Sequence, residues 1–177
     1  MEASVISPPT VPVVIRRLRE QDLAGLEWSQ EHVRFRRMFR SAFDDMRAGT
    51  RSLWVAAAGD LVVGRLFIQW NSADRRYADG VSRAYLYALR VHSLWQRQGV
   101  GTRLVAAAEA ELCARRMSTA TLAVGQTNVE AFRLYKRLGY TVFDYDPGIW
   151  YFLDDRGVLQ REQEKSWLLQ KRLRCEP

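Results

Sequence analysis

Apolar positions in this chain switch repeatedly between the period of a strand and that of a helix, and the switches mark its elements. Residues 13–19 alternate weakly and run into Glu20-Gln21-Asp22, where Asp22 can cap a short helix through Trp28. Over residues 31–48, Val33, Met38, Ala42, Phe43 and Met46 fall on a helical pattern, and Gly49 supplies a stop. Two β-rich runs, 51–58 and 61–70, are joined by Gly59-Asp60, the composition of a tight hairpin. A polar loop over 71–82 then leads into an aromatic strand, 83–91. Beyond it Val100, Leu104, Ala108 and Leu112 repeat at helical spacing, and the helix they define extends to about Met117.

The rest of the chain follows the same logic. Residues 119–124 form an apolar strand, and Asn128 then caps a helix with Glu130 in its first turn, where the helix dipole favours a negative charge. Val129, Phe132, Tyr135 and Leu138 make one apolar stripe on that helix, and Gly139 ends it. Residues 140–145, 149–153 and 166–173 supply closing strands, with Asp154-Asp155-Arg156-Gly157 as the turn between the latter two. The order β-α-α-β-β-β-α-β-α-β-β is that of an α/β (α+β) domain, a mixed sheet covered by helices. One domain over residues 13–174 accounts for this pattern. Residues 1–12, with Ser7-Pro8-Pro9-Thr10 and no apolar block, read as a flexible leader.

Composition narrows the classes. An apolar fraction of 47% over 177 residues is enough for a full core. No run approaches the roughly 20 apolar residues that span a bilayer, so no membrane partner and a cytoplasmic location are expected. Two cysteines, Cys113 within a helix and Cys175 in the tail, lack metal-ligand spacing; packing is the expected role of the first, and a free thiol the expected state of the second. No metal is expected. The net charge of +7 comes mostly from arginines scattered along the whole chain. With no helix-turn-helix, zinc or aromatic RNA signature, a basic nucleic-acid-binding domain ranks last among the readings.

The most specific chemistry lies in Val91-His92-Ser93-Leu94-Trp95-Gln96-Arg97-Gln98-Gly99-Val100-Gly101-Thr102. A strand here enters a glycine-spaced loop that opens directly into a helix, whose first N–H groups favour an anion. A dinucleotide fingerprint would need a third glycine where Leu104 stands, and a triphosphate loop would need Gly-Lys-Ser/Thr where Gly101-Thr102-Arg103 stands. The Gln/Arg-x-x-Gly-x-Gly/Ala spacing of Gln96, Gly99 and Gly101 instead resembles the GNAT superfamily of acetyl-CoA-dependent N-acetyltransferases. Residues 128–140, Asn-Val-Glu-Ala-Phe-Arg-Leu-Tyr-Lys-Arg-Leu-Gly-Tyr, likewise resemble that family's Asn-x-x-Ala-x-x-x-Tyr-x-x-x-Gly-Phe/Tyr signature.

The resemblance implies a GNAT-like, mostly antiparallel central sheet flanked by helices, with acetyl-CoA as cosubstrate and an amine as acceptor. It implies that the backbone of Gln98, Gly99, Val100, Gly101 and Thr102 holds the pyrophosphate, with Gln96 and Arg97 completing the loop. It implies further that the edge of Leu89, Arg90 and Val91 pairs with the pantetheine arm, and that an N–H near Val91 polarises the acetyl carbonyl. Asn128 and Ala131 adjoin the arm, and Tyr135 protonates the leaving thiolate. Relatives often pair through sheet edges, which makes a homodimer the expected assembly. Periodicity alone would assign Tyr135 to the core and Asn128 to helix capping; the surrounding signature adds the functional roles.

Two parts of the reaction have no such signature. Many relatives carry a glutamate on the central strand as base, whereas residues 83–89 here contain no carboxylate. Glu27, Glu31, Asp44, Asp45 and His92 are candidates by type only, and a water chain past Tyr85 or Tyr87 would serve as well. Asp144, Tyr145, Asp146, Trp150 and Tyr151 combine acids with aromatics and would suit a cationic amine, or read equally as a turn and core aromatics around Pro147-Gly148. Polyamine, aminoglycoside, amino-acid and protein N-terminal acceptors all fit. A non-catalytic acyl-CoA-binding module is the alternative reading.

Overall fold

The long apolar runs of the first half become strands covered on both faces. In the computed structural model, which describes residues 11–28 and 30–175, strands β1 (Val13–Arg17), β2 (Arg51–Ala58) and β3 (Leu61–Gln69) form an antiparallel meander. Leu53, Val55, Ala56, Val62, Val63, Leu66, Phe67 and Ile68 are all buried, so β2 and β3 lack the alternation of a half-exposed strand. Next come β4 (Arg83–Val91), β5 (Thr119–Gly125), β6 (Thr141–Asp146), β7 (Ile149–Leu153), β8 (Leu159–Gln163) and β9 (Ser166–Arg172). Seven of these strands make one sheet in the order β1-β2-β3-β4-β5-β9-β6, and β7 and β8 pair only with each other. Within the sheet, β4 and β5 are the parallel pair and the other pairings are antiparallel.

Helices cover the two faces. On one lie α1 (Gln30–Val33) and α2 (Arg36–Arg47), with Leu26, Phe39 and Phe43 packed on Leu53 and Phe67. On the other lie α3 (Val100–Ala114) and α4 (Val129–Arg137), with Leu104, Ala108, Leu112 and Tyr135 packed among Leu86, Leu122, Tyr140 and Leu169. Each such large apolar side chain contributes roughly 1.5–3 kcal/mol on burial. Glu111 ties α3 to the meander: it accepts hydrogen bonds from Ser52 Oγ and Trp54 Nε1, both at 2.8 Å, and pairs with Arg17 at 2.5 Å. Burial opposes its charge, but these donors outweigh burial and hold its carboxyl below the usual range.

Four sequence expectations are corrected. Asp22 caps no helix to Trp28; it lies within a short 3₁₀ turn, Glu20–Asp22, and its carboxylate takes Arg16 at 2.6 and 2.9 Å and the N–H of Arg19 at 2.7 Å. The helix expected over 31–48 is broken at Phe35, whose ring is held 5.0 Å from that of Phe152 on the hairpin. An additional strand, β8, follows β7, while β9 inserts between β5 and β6. Leu-Gln-Arg-Glu-Gln has almost no strand pattern of its own, and β7 supplies the order. Finally, Cys113 and Cys175 are not separate thiols: they form a disulfide, with Cα atoms 5.2 Å apart. The return of β9 alongside β5 brings the tail beneath the end of α3, a proximity that 62 residues of separation conceal. Residues 1–10 of the expected leader lie outside the described residues.

Candidate active site

The central parallel pair comes apart. Strand β4 is in register with β5 only from Arg83↔Thr119 to Leu86↔Leu122, although both strands continue beyond. The cause is a bulge: between Arg65↔Arg90 and Phe67↔Tyr87, β4 carries one more residue than β3, and Ala88 within it has φ +55°. A non-glycine residue in this left-handed region is strained, and such strain marks positions that the surrounding structure fixes. Leu89 lies in the bulge with Ala88, and beyond it Arg90 and Val91 stay paired with β3 while none of residues 89–91 has a partner on the β5 side. Residues 89–91 therefore present an open strand edge.

This gap leads to the N-terminus of α3. Gln96 Nε2 donates to the carbonyl of Val91 and Gln98 Nε2 to that of Leu94, each at 3.0 Å, so these side chains brace the loop; the backbone N–H of Gln96 is taken by the Ser93 carbonyl at 3.3 Å. Gly99 has φ +78° with nothing near its missing side chain, so the conformation and not crowding calls for glycine there. Among the described residues no acceptor faces the N–H groups of Gln98 through Thr102; Arg103 N–H is the first to bond, to the Gly99 carbonyl at 3.0 Å. A Cβ on Gly101 would meet only Leu134 Cδ2 and Val91 Cγ2, at 3.7 and 3.8 Å. Free donors, an open approach and a 15-residue helix fit a pyrophosphate. Arg97 is 87% exposed and faces Glu130 at 3.2 Å, while Arg103 donates to the Val13 carbonyl at 2.8 Å.

On α4, Asn128 caps the helix by accepting from Ala131 N–H at 3.1 Å, and Ala131 is half-buried below it. Tyr135 is 8% exposed, with its ring 5.8 Å from that of Tyr140. Burial pushes its phenol above the ordinary value. The hydroxyl has no hydrogen-bond partner among the described residues, yet it is not one of the sealed polar atoms, so it opens onto solvent-accessible space. Arg133, Lys136 and Arg137 are exposed on the outer face.

The opposite face of the gap looks onto a cavity of about 690 Å³ lined by His32, Arg34, Phe35, Arg90, Trp150 and residues 162–164. Arg90 donates to His32 Nε2, which can only accept here. Arg34 pairs with Glu162 at 2.9 Å, and Phe35 stacks on Trp150 at 6.3 Å. Glu164 lies over the last residue of β5; its Oε1 occupies the space of a Gly125 side chain, 2.1 Å from where a Cβ would stand. Only glycine admits this approach. Glu162, Glu164 and His32 went unnoticed as site residues in the sequence, where they read as polar loop and helix positions without a motif.

Other sequence candidates turn out to be engaged elsewhere. Asp144 and Asp146 pair with Arg76 at 2.9 and 3.2 Å, which leaves neither free to hold an amine, and Tyr151 is 60% exposed. Of the candidate bases, Glu27 is held by Arg36 at 2.7 Å, Asp45 pairs with Arg51 at 2.9 Å, and Asp44 lies on the exposed side of α2. His92 accepts from Leu94 N–H at 3.4 Å; the side chain of Glu31 lies outside the described residues. Tyr85 stacks on Tyr87 at 5.5 Å, and burial raises both phenols. Among the described residues no cluster of three or more His, Cys, Asp or Glu could hold a metal, and no helix is long and apolar enough to cross a membrane.

A sheet parted at its parallel pair, beside a helix N-terminus with free donors, is the arrangement the fold presents. The profile of the Acetyltransferase (GNAT) family matches residues 16–140, and the chain belongs to that family. Its fold is shared with Ard1 from Thermoplasma volcanium (TM-score 0.69, 18% identity, covering 91% of this chain and 97% of that one). It is shared also with the ribosomal-protein-S18-alanine N-acetyltransferase from Escherichia coli (0.65, 19%, 90% and 92%). A third similar structure is the PaiA N-acetyltransferase from Thermoplasma acidophilum in complex with coenzyme A (0.68, 16%, 92% and 99%). No curated protein is similar enough in sequence to count as a match.

Proposed function

We propose that the protein is an acetyl-CoA-dependent N-acetyltransferase that transfers the acetyl group to a primary amine of a small molecule or peptide by direct attack. The observation that carries this reading is the gap between β4 and β5, which runs from the free N–H groups of α3 to the cavity at Arg90 and Glu164. Similar structures named as a ribosomal-protein-S18-alanine N-acetyltransferase and as an N-acetyltransferase in complex with coenzyme A support it. Acetyl-CoA would supply an activated thioester. The N–H groups of Gln98 to Thr102 bind its pyrophosphate, with Arg97 at the rim. The edge Leu89-Arg90-Val91 orients the pantetheine arm, Asn128 and Ala131 flank it, and an N–H near Val91 stabilises charge on the carbonyl oxygen.

Tyr135 acts as the general acid. Its burial keeps the phenol protonated, so it can donate a hydrogen bond and then the proton to a departing thiolate. A cytoplasmic location and a homodimer belong to this reading; the Cys113–Cys175 bond is then the feature that depends on the redox poise of the compartment. The non-catalytic alternative draws on the lack of a carboxylate in β4.

Calorimetric titration with acetyl-CoA, with NADPH as comparison, followed by CoA release over an amine panel, tests the proposal. Micromolar acetyl-CoA binding with amine-dependent release is expected. Binding without turnover decides for the regulatory module, and no binding by folded protein refutes both.

A further inference from the structure

The charges around the cavity do not all cancel within the protein. Arg34 and Glu162 neutralise each other at 2.9 Å. Arg90 and Glu164 remain: no carboxylate among the described residues lies within ion-pairing distance of Arg90, and no cation within that distance of Glu164. They stand on opposite walls of the gap, Arg90 on the free end of β4 and Glu164 over the end of β5.

A second positive charge sits behind the first. Arg65 is directly across from Arg90 in the β3–β4 register and is 5% exposed, with its Nε unpartnered. It is held by the Leu26 carbonyl at 3.0 Å and by the rings of Trp28 and Phe39. Burial, reinforced by Arg90, lowers its pKa to about 10. Like charges directly opposite on neighbouring strands are unfavourable, and an anion beside Arg90 relieves this one. Between the two walls, Phe35 and Trp150 offer an apolar surface.

We propose that the acceptor is a zwitterion, a primary amine that carries a carboxylate or phosphate-type group on the same small molecule. Arg90 receives the anionic group, Glu164 the ammonium, and the stacked aromatics cover the stem between them. This rests on the acetyltransferase reading. A diamine would set a cation against Arg90, and a simple alkylamine would leave Arg90 without a counter-charge.

The test compares glycine, β-alanine, 4-aminobutyrate, 6-aminohexanoate and 2-aminoethylphosphonate with n-butylamine, 1,4-diaminobutane and a short C-terminally amidated peptide of uncharged residues with a free N-terminus. CoA release gives kcat/KM for each. At least one zwitterion should exceed the alkylamine, the diamine and the peptide by tenfold or more. Arg90→Gln should erase that preference, Arg90→Glu should turn it toward the diamine, and Glu164→Gln should raise KM for the zwitterion tenfold. Equal or better turnover of the diamine, alkylamine or peptide overturns the inference, as does a preference that survives Arg90→Gln. Acetyl-CoA affinity is measured on every variant, which separates loss of cosubstrate from loss of acceptor. If acetyl-CoA binds and no zwitterion is turned over, the acceptor class is wrong and the acyl-CoA reading stands. If acetyl-CoA does not bind, the parent reading has failed, and titration of the zwitterions alone decides: no heat from any of them overturns the cavity assignment too.

Discussion

The two halves of the site are built on opposite principles. The proposed cofactor side offers mainly backbone: the open edge of β4 and the N–H groups from Gln98 to Thr102 at the start of α3. The proposed acceptor side offers side chains from four separate places, the α1 segment, β4, the β7–β8 hairpin and the Glu164 turn. Backbone donors need a particular local conformation, which short-range sequence dictates. A pocket of side chains needs only that distant elements come together, and the residues can vary without changing the fold. This is why one half carries motifs and the other does not.

The largest effect should come from blocking the cradle. Gly101→Glu places a carboxylate in the first turn of α3, where the helix itself favours it and only ordinary contacts await the Cβ. The variant should fold normally and lose acetyl-CoA affinity by more than about 100-fold, since about 2.7 kcal/mol of opposing charge is enough. Normal affinity in a folded variant would place the pyrophosphate elsewhere and remove the contrast between the halves.

Tyr135→Phe tests whether chemistry belongs to the cofactor side. It should lower kcat by about 100-fold, within the range of general acid catalysis, and leave acetyl-CoA affinity within about threefold. The pH profile carries an independent sign. A phenol raised by burial loses its proton only at higher pH than a free one, so the wild type should show no falling limb from this group below about pH 10. A falling limb near pH 8, or an unchanged kcat in the Phe variant, would exclude the role.

The smallest effect concerns the scaffold. Reduction of Cys113–Cys175 should lower stability by about 2–4 kcal/mol, because the bond closes a loop of 62 residues in the unfolded chain and so restricts its conformational freedom. Thermal unfolding with and without reductant measures this, and acetyl-CoA affinity should not follow it. A parallel loss of affinity would mean that the far end of α3 controls the cradle at its start.

The cofactor side was legible because Gln96, Gly99, Gly101, Asn128 and Tyr135 lie in two short segments whose spacing has few other uses. Strands with sustained apolar character and helices with an apolar stripe were equally clear. What escaped was order imposed from outside: β8 is a strand because β7 pairs with it, and α1 and α2 are separate because Phe35 packs on the hairpin. The acids chosen by proximity to aromatics, Asp144 and Asp146, were claimed by Arg76 from a loop some 70 positions away.

The sequence by itself therefore determined the family, the hairpin of β2 and β3, and the glycine-spaced loop that opens α3, because each depends on local period or local backbone conformation. Tertiary structure alone decided the parting of β4 from β5, the pairing of Cys113 with Cys175, and the meeting of Arg90 with Glu164 across one cavity. These are long-range contacts between residues with no mutual pattern along the chain, and only the closing of the sheet by β9 fixes where they fall.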